Sequence, residues 1–194
     1  MVSVPARFDS FRQNSVREGY RMDLYKAIRE RVSTRTYRPD QVPEDSLLNV
    51  LEAARLAPSG KNGQPWRFIV VRDAETRKKL MSACKGQKYI YEAPVVIVAC
   101  GYEKYAYKEM GGYWNSLPVD IGIAMEHLVL AAEAEGLGTC WIGAFIEEEV
   151  REILRIPGEV KVVALTPLGY PGGRKTHTGR KKLEEIVMYD KWEG

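Results

Sequence analysis

The longest apolar run in this chain, residues 93–100, is only strand length and contains Pro94. A membrane-spanning helix needs about 20 apolar residues, so this run falls far short. Two further strand-length runs, residues 66–71 and 160–166, are rich in β-branched and aromatic residues. Segments with helical spacing separate the three. A chain patterned this way buries its apolar groups through many short elements, which implies an α+β sheet covered by helices. With 194 residues it is long enough to bury a sizeable core.

The helical segments carry their own punctuation. Asp23 can cap a helix in which Leu24, Ala27 and Ile28 share a face, ending near Arg31. Pro43, Glu44 and Asp45 open a second helix, with Pro43 in its first turn and acids beside the positive end of the dipole. Leu47, Val50, Leu51 and Ala54 follow the helical spacing, and Pro58 closes the run. Residues 74–84 form a charged helix with Leu80 and Met81 inward. Residues 118–135 form the best helix of the chain, with a broad apolar face and Gly136 as its C-cap. Glu147, Glu148 and Glu149 open another, stopped by Pro157. A short strand over 139–142, a loop over 169–173 and a short terminal element over 183–189 complete the reading. Residues 22–194 read as a single domain, and residues 1–21 as a frayed N-terminal extension.

The net charge of +3 is too modest to demand nucleic acid or a membrane surface. Cys84, Cys100 and Cys140 form no CxxC pair, and buried free thiols in a reducing compartment account for them. Two histidines make a histidine-rich metal site improbable. The first 21 residues have scattered charges and no apolar stretch of the signal-peptide kind, so the expected location is cytoplasmic.

Two short stretches carry chemistry. Arg31, Val32, Ser33, Thr34 and Arg35 pack two guanidiniums and two hydroxyls into five residues. Arginine supplies charge-assisted bonds in a planar fork, as a phosphate monoester requires. The helix end beside them has the wrong dipole sense for an anion, so side chains must do the binding. Residues 58–66 form a polar loop running into a strand. Ser59, Asn62 and Gln64 offer donors and acceptors suited to a pyrimidine-like ring edge, while Gly60 and Gly63 allow close backbone approach. Together they suggest an anionic ligand with a flat, hydrogen-bonding ring system, a description that flavin mononucleotide (FMN) fits.

A second basic cluster holds Arg174, Lys175, His177, Arg180, Lys181 and Lys182. On residue types alone, a solvated helix end and a solvated loop account for the two basic clusters. The second has no interleaved aromatic platform for nucleic acid. Trp141, Ile142, Gly143 and Ala144 follow a strand, where Gly143 permits backbone N–H groups to face a ligand and a simple turn is an equal account. The chain has no grouped nucleophile and base, no P-loop and no GxGxxG after a strand, so any enzymatic chemistry falls to a bound cofactor.

In order along the chain, Arg-Val-Ser-Thr-Arg-Thr-Tyr (31–37), Ala-Pro-Ser-Gly-Lys-Asn-Gly-Gln-Pro-Trp (57–66), Gly-Leu-Gly-Thr-Cys-Trp-Ile-Gly (136–143) and Arg-Lys-Lys-Leu-Glu-Glu-Ile-Val (180–187) resemble the FMN-dependent nitroreductase family. The resemblance implies a three-layer α/β/α sandwich with a mostly antiparallel central sheet, and an intertwined homodimer with FMN at the subunit interface. It gives Arg31, Val32 and Ser33 to the phosphate and ribityl chain, with Arg180 and Lys181 as further phosphate partners. Arg35 would lie near the pyrimidine edge, where a positive charge favours the anionic reduced flavin. Pro58, Ser59, Gly60 and Asn62 would reach the flavin of the partner subunit. Gln87 would touch the ring edge, and the stretch Trp141, Ile142, Gly143, Ala144 would pass beside the ring.

Three departures from the family pattern stand out. Gly60 replaces a common second serine, Lys182 replaces a frequent proline, and the segment 101–118 is short, so a helical lid is reduced. Tyr102, Tyr105, Tyr107, Tyr113 and Trp114 are then candidates to line an open pocket or to pack a dimer surface. The implied activity is NAD(P)H-dependent reduction of an electron-poor small molecule, such as a nitroaromatic or quinone, by ping-pong kinetics. Reductive dehalogenation or oxidative flavin chemistry on one metabolite is the alternative within the fold, and a non-catalytic flavin-binding protein the alternative outside it.

Overall fold

The structure, a computed structural model, describes residues 23–173 and 176–192. The expected N-terminal extension and the cluster members Arg174 and Lys175 lie outside the described residues.

Four strands form one antiparallel sheet in the order β1 (Trp66–Val71), β2 (Val95–Tyr102), β4 (Val160–Gly169), β3 (Gly138–Thr139). Alternation along β2 divides the core. Val95, Ile97 and Ala99 face one helical layer, α2 (Glu44–Arg55) and α5 (Leu117–Ala134). Val96, Val98 and Cys100 face the other, α3 (Ala74–Ala83), α4 (Tyr89–Glu92) and α6 (Glu147–Leu154). Being covered on both faces, β2 is apolar at nearly every position rather than alternating. Helix α5 fills the first layer with Ile121, Met125 and Leu128, each fully buried and worth about 1.5–3 kcal/mol of transfer free energy. The expected three-layer α+β sandwich is the observed one.

Several boundaries move for physical reasons. Strand β1 is expected to be buried, yet only Trp66 and Val71 are, because it pairs with β2 alone and leaves its other edge open. Pro43 sits at the N-cap of α2 rather than in its first turn. The strand expected over 139–142 is a two-residue strand, followed by an isolated bridge between Ile142 and Leu165. Strand β4 runs on to Gly169 because Pro167 and Leu168 keep pairing with Val96 and Val95, and Gly169 pairs with Gly138. Helix α4 lacks an amphipathic repeat long enough to read in sequence. The terminal element is a single 3-10 turn, Leu183–Glu185, with Trp192 82% exposed.

Helix α1 (Leu24–Glu30) has Asp23 as its N-cap, the side chain accepting from the Tyr25 amide at 3.3 Å. Of its apolar face only Ala27 is buried, while Leu24 and Ile28 are 60% and 51% exposed. Beyond it the chain becomes extended and runs beside the end of the sheet. Thr34 N–H donates to the Thr139 carbonyl at 2.8 Å, and Gly172 N–H donates to the Thr36 carbonyl at 2.8 Å. A Cβ on Gly138 would stand 2.4 Å from Thr34 Oγ1, so a glycine is required where the segment crosses β3.

Candidate functional site

The extended backbone after α1 explains how the first basic cluster is presented. Side chains alternate with a period of two in an extended chain. Arg31, Ser33 and Arg35 therefore share one side and Thr34 turns inward, while Tyr37 leaves the alternation and is also buried. Tyr37 anchors this arrangement, its hydroxyl donating to the Thr34 carbonyl at 2.9 Å. Burial pushes the Tyr37 phenol far above its ordinary range, with Cys140 and Tyr89 adding to the effect, so it stays neutral as a donor.

The exposed side forms a cleft of about 450 Å³ lined by Ile28, Arg29, Arg31, Val32, Ser33, Arg35, Thr176, His177, Thr178 and Arg180. Four guanidiniums, an imidazole and three hydroxyls meet there, and among the described residues no carboxylate lines the cleft. This donor set suits a phosphate monoester with a polyhydroxyl chain. A shallower continuation over Thr34, Thr36, Pro171 and Gly173 extends it along the same segment. Arg180 donates to the Thr178 carbonyl at 3.2 Å and to Thr178 Oγ1 at 3.1 Å, which folds it over the loop that closes the cleft. Lys181, one residue on, is exposed and is not among the lining residues.

At the Arg35 end a second group of expected residues comes in. Gln87 Nε2 donates to the Cys84 carbonyl at 2.8 Å and to the Ala144 carbonyl at 3.2 Å, and its Oε1 accepts from the Tyr89 hydroxyl. Burial raises the Tyr89 phenol, Cys140 raises it further, and Arg35 opposes the shift. Tyr89 thus feels the Arg35 charge and donates to Gln87, which in turn donates to the Ala144 carbonyl. The indole of Trp141 is half exposed, and Gly143 and Ala144 are exposed. Ile142 is buried, and both its backbone groups pair with Leu165, so it anchors the segment and has no free amide to offer.

The third stretch lies elsewhere on the chain. Pro58, Ser59, Gly60 and Asn62 do not line the cleft. Gly60 and Lys61 instead line a separate cavity of about 390 Å³ with residues 105–109. This loop is strained: Lys61, Asn62 and Gln64 all have positive φ, at 50°, 56° and 44°. Strain of this kind persists only where the surroundings hold it. Here Asp120, buried in α5, accepts from Gly60 N–H at 2.9 Å and from Ser116 Oγ at 2.7 Å, and Ser59 Oγ accepts from Gln64 N–H at 3.0 Å. A Cβ at Gly60 would come 2.8 Å from Tyr107 Cβ, which accounts for glycine where a serine is common.

Sequence reasoning missed Tyr89, Arg29, Thr176, Thr178 and Asp120. Arg29 had only its place one helical turn from the cluster to mark it, and Asp120 only its charge on an otherwise apolar face. The three cysteines are buried and free. Burial pushes the Cys84 and Cys100 thiols up to about 12, so neither is a nucleophile at neutral pH. Among the described residues no cluster could hold a metal ion, and no helix is long and apolar enough to cross a membrane.

A cationic cleft beside an antiparallel sheet, and a strained polar loop set apart from it, mark an α+β protein whose cleft offers donors suited to an anion. Comparison with known proteins says which one. Residues 28–90 and 81–170 match the nitroreductase family. The chain is 36% identical to an NADH dehydrogenase of Thermus thermophilus over 87% of this chain and 96% of that one. It is 31% identical to an FMN reductase [NAD(P)H] of Bacillus subtilis over 84% and 72%. A nitroreductase family protein of Clostridium difficile superposes with a TM-score of 0.81 at 29% identity, covering 88% of this chain and all of that one. The chain belongs to the nitroreductase family and is an oxidoreductase.

Proposed function

We propose that this protein is an FMN-dependent NAD(P)H oxidoreductase that works as a homodimer, with residues 22–194 as one FMN-binding domain, and is cytoplasmic. The observation that carries the reading is the cleft, where Arg29, Arg31, Arg35 and Arg180 converge with hydroxyls and, among the described residues, without a carboxylate. FMN fits this donor set. Arg31, Ser33 and Arg180 would hold its phosphate and ribityl chain, and Arg35 its pyrimidine edge. When bound, FMN supplies hydride acceptance from a nicotinamide and electron delivery to an acceptor. The chain's own residues bind and orient. The Arg35 charge acts on the Tyr89 phenol, and Gln87 donates to the carbonyl of Ala144. No side chain is needed as acid or base, since solvent supplies protons. The acceptor class is electron-poor small molecules, such as nitroaromatics or quinones, in a ping-pong cycle where reductant and acceptor use one pocket in turn.

The homodimer is supported by what one chain leaves uncovered. Leu24 and Ile28 on α1, Leu56 after α2, and Leu183, Ile186 and Trp192 near the end are large and exposed. Such apolar surface marks an interaction face. The strained loop, remote from its own chain's cleft, is free to complete the cleft of a second copy.

The test is a visible absorption spectrum before and after anaerobic addition of NADPH or NADH. A flavin spectrum that bleaches is expected. A colourless protein that fails to take up added FMN would sink the reading.

A further inference from the structure

Beside the strained loop, lysines and tyrosines share one wall. Lys61 Nζ lies 4.6 Å from the centroid of the Tyr107 ring, and Lys104 Nζ lies 5.0 Å from those of both Tyr102 and Tyr105. Lys61, Tyr105, Tyr107 and Lys108 line the cavity of about 390 Å³, with Glu109 as its one lining carboxylate. None of these three lysines has an ion pair among the described residues. The wall is held in place: Tyr107 N–H donates to Ser116 Oγ at 2.9 Å, and Ser116 is fixed in turn by Asp120.

An ammonium over a tyrosine face is only partly compensated and keeps its capacity to pair with an anion. Tyrosine faces also stack flat rings in offset or edge geometry. We propose that this cavity is an acceptor subsite that selects planar aromatic carboxylates over their neutral counterparts. The inference rests on the reading above, in which residues 58–62 reach the flavin of the partner subunit and so place this cavity beside it. The ring would lie against Tyr105 and Tyr107, and its carboxylate would meet Lys61 and Lys108, with Lys104 adding field from above. A dinucleotide phosphate shares the anionic chemistry, and the test separates the two.

The measurement is equilibrium binding of 4-nitrobenzoate and of 4-nitrobenzamide to the FMN-supplemented protein, at low and high salt. Two exposed lysines should favour the carboxylate by roughly tenfold at low ionic strength, an advantage that shrinks as salt screens it. In the double variant Lys61→Gln/Lys108→Gln the two affinities should converge. Equal affinities in the unaltered protein, or a preference that survives in the double variant, would overturn the proposal. So would weakened NADPH binding in the double variant with the carboxylate preference intact, since the lysines would then serve the reductant's phosphates. The readout is binding, so a flavin that NAD(P)H fails to bleach would count against the oxidoreductase reading and leave this result standing.

Discussion

At the scale of single residues, the argument turns on two spacings. Arg31 and Arg35 stand four apart, which a helical reading puts one turn apart at a helix end. The extended backbone instead sets them two positions either side of Ser33, on a common side. Replacing Arg31 with alanine should weaken FMN binding by about 10- to 100-fold, the range for losing a hydrogen bond to a charged group. Equilibrium dialysis or fluorescence titration with FMN reads this directly, and unchanged affinity would remove Arg31 from the site. The second spacing is Gly60 to Gly63. A Cβ on Gly63 would stand 2.1 Å from the Tyr105 carbonyl oxygen, a backbone atom that cannot swing away. Gly63→Ala should therefore cost about 1–3 kcal/mol, typical of forced overpacking, and lower the urea midpoint.

At the scale of elements, helix ends give the clearest pH dependence. Asp73 caps α3, accepting from Thr76 N–H at 2.8 Å and from Thr76 Oγ1 at 2.6 Å. These bonds hold its carboxyl below the usual aspartate range. The stability it contributes is complete above the unfolded value, about 3.9, and is lost as pH falls through the lower folded value. Asp73→Asn should melt below the parent protein at neutral pH, and the gap should close in acid. Thermal melts across pH 2–7 would show it. The Asp23 cap, the apolar face of α5 and the run that becomes β2 were legible because each is a local pattern, whereas the Asp73 cap was not read from the sequence. What was not legible depends on partners far along the chain. The open edge of β1, the extension of β4 to Gly169 and the short α4 are set by pairing and packing. Tyr89 follows the same rule, since only the fold brings it to Arg35 and Gln87. Of the four family motifs, 31–37 and 180–187 contribute residues to the cleft while 57–66 and 136–143 do not, and the motifs could not show that Arg180 lines it and Lys181 does not.

At the scale of the molecule, one chain presents the cleft and the strained loop as separate features and leaves large apolar side chains on α1, after α2 and near the end exposed. Light scattering should give twice the mass of the chain. Leu24→Glu with Ile28→Glu, which puts charge on the exposed side of α1, should shift it toward the monomer and release FMN together. A monomer that retains FMN would contradict the shared site.

The segment after β2 is moored at two points, with residues 105–107 against the strained loop and Ser116 against Asp120. Between them lies the small turn in which Met110 pairs with Trp114. Insertions and deletions can therefore accumulate at residues 110–114 without disturbing either mooring or the cavity lining. The tip can be rewritten from one descendant to the next while the machinery beneath it stays as it is.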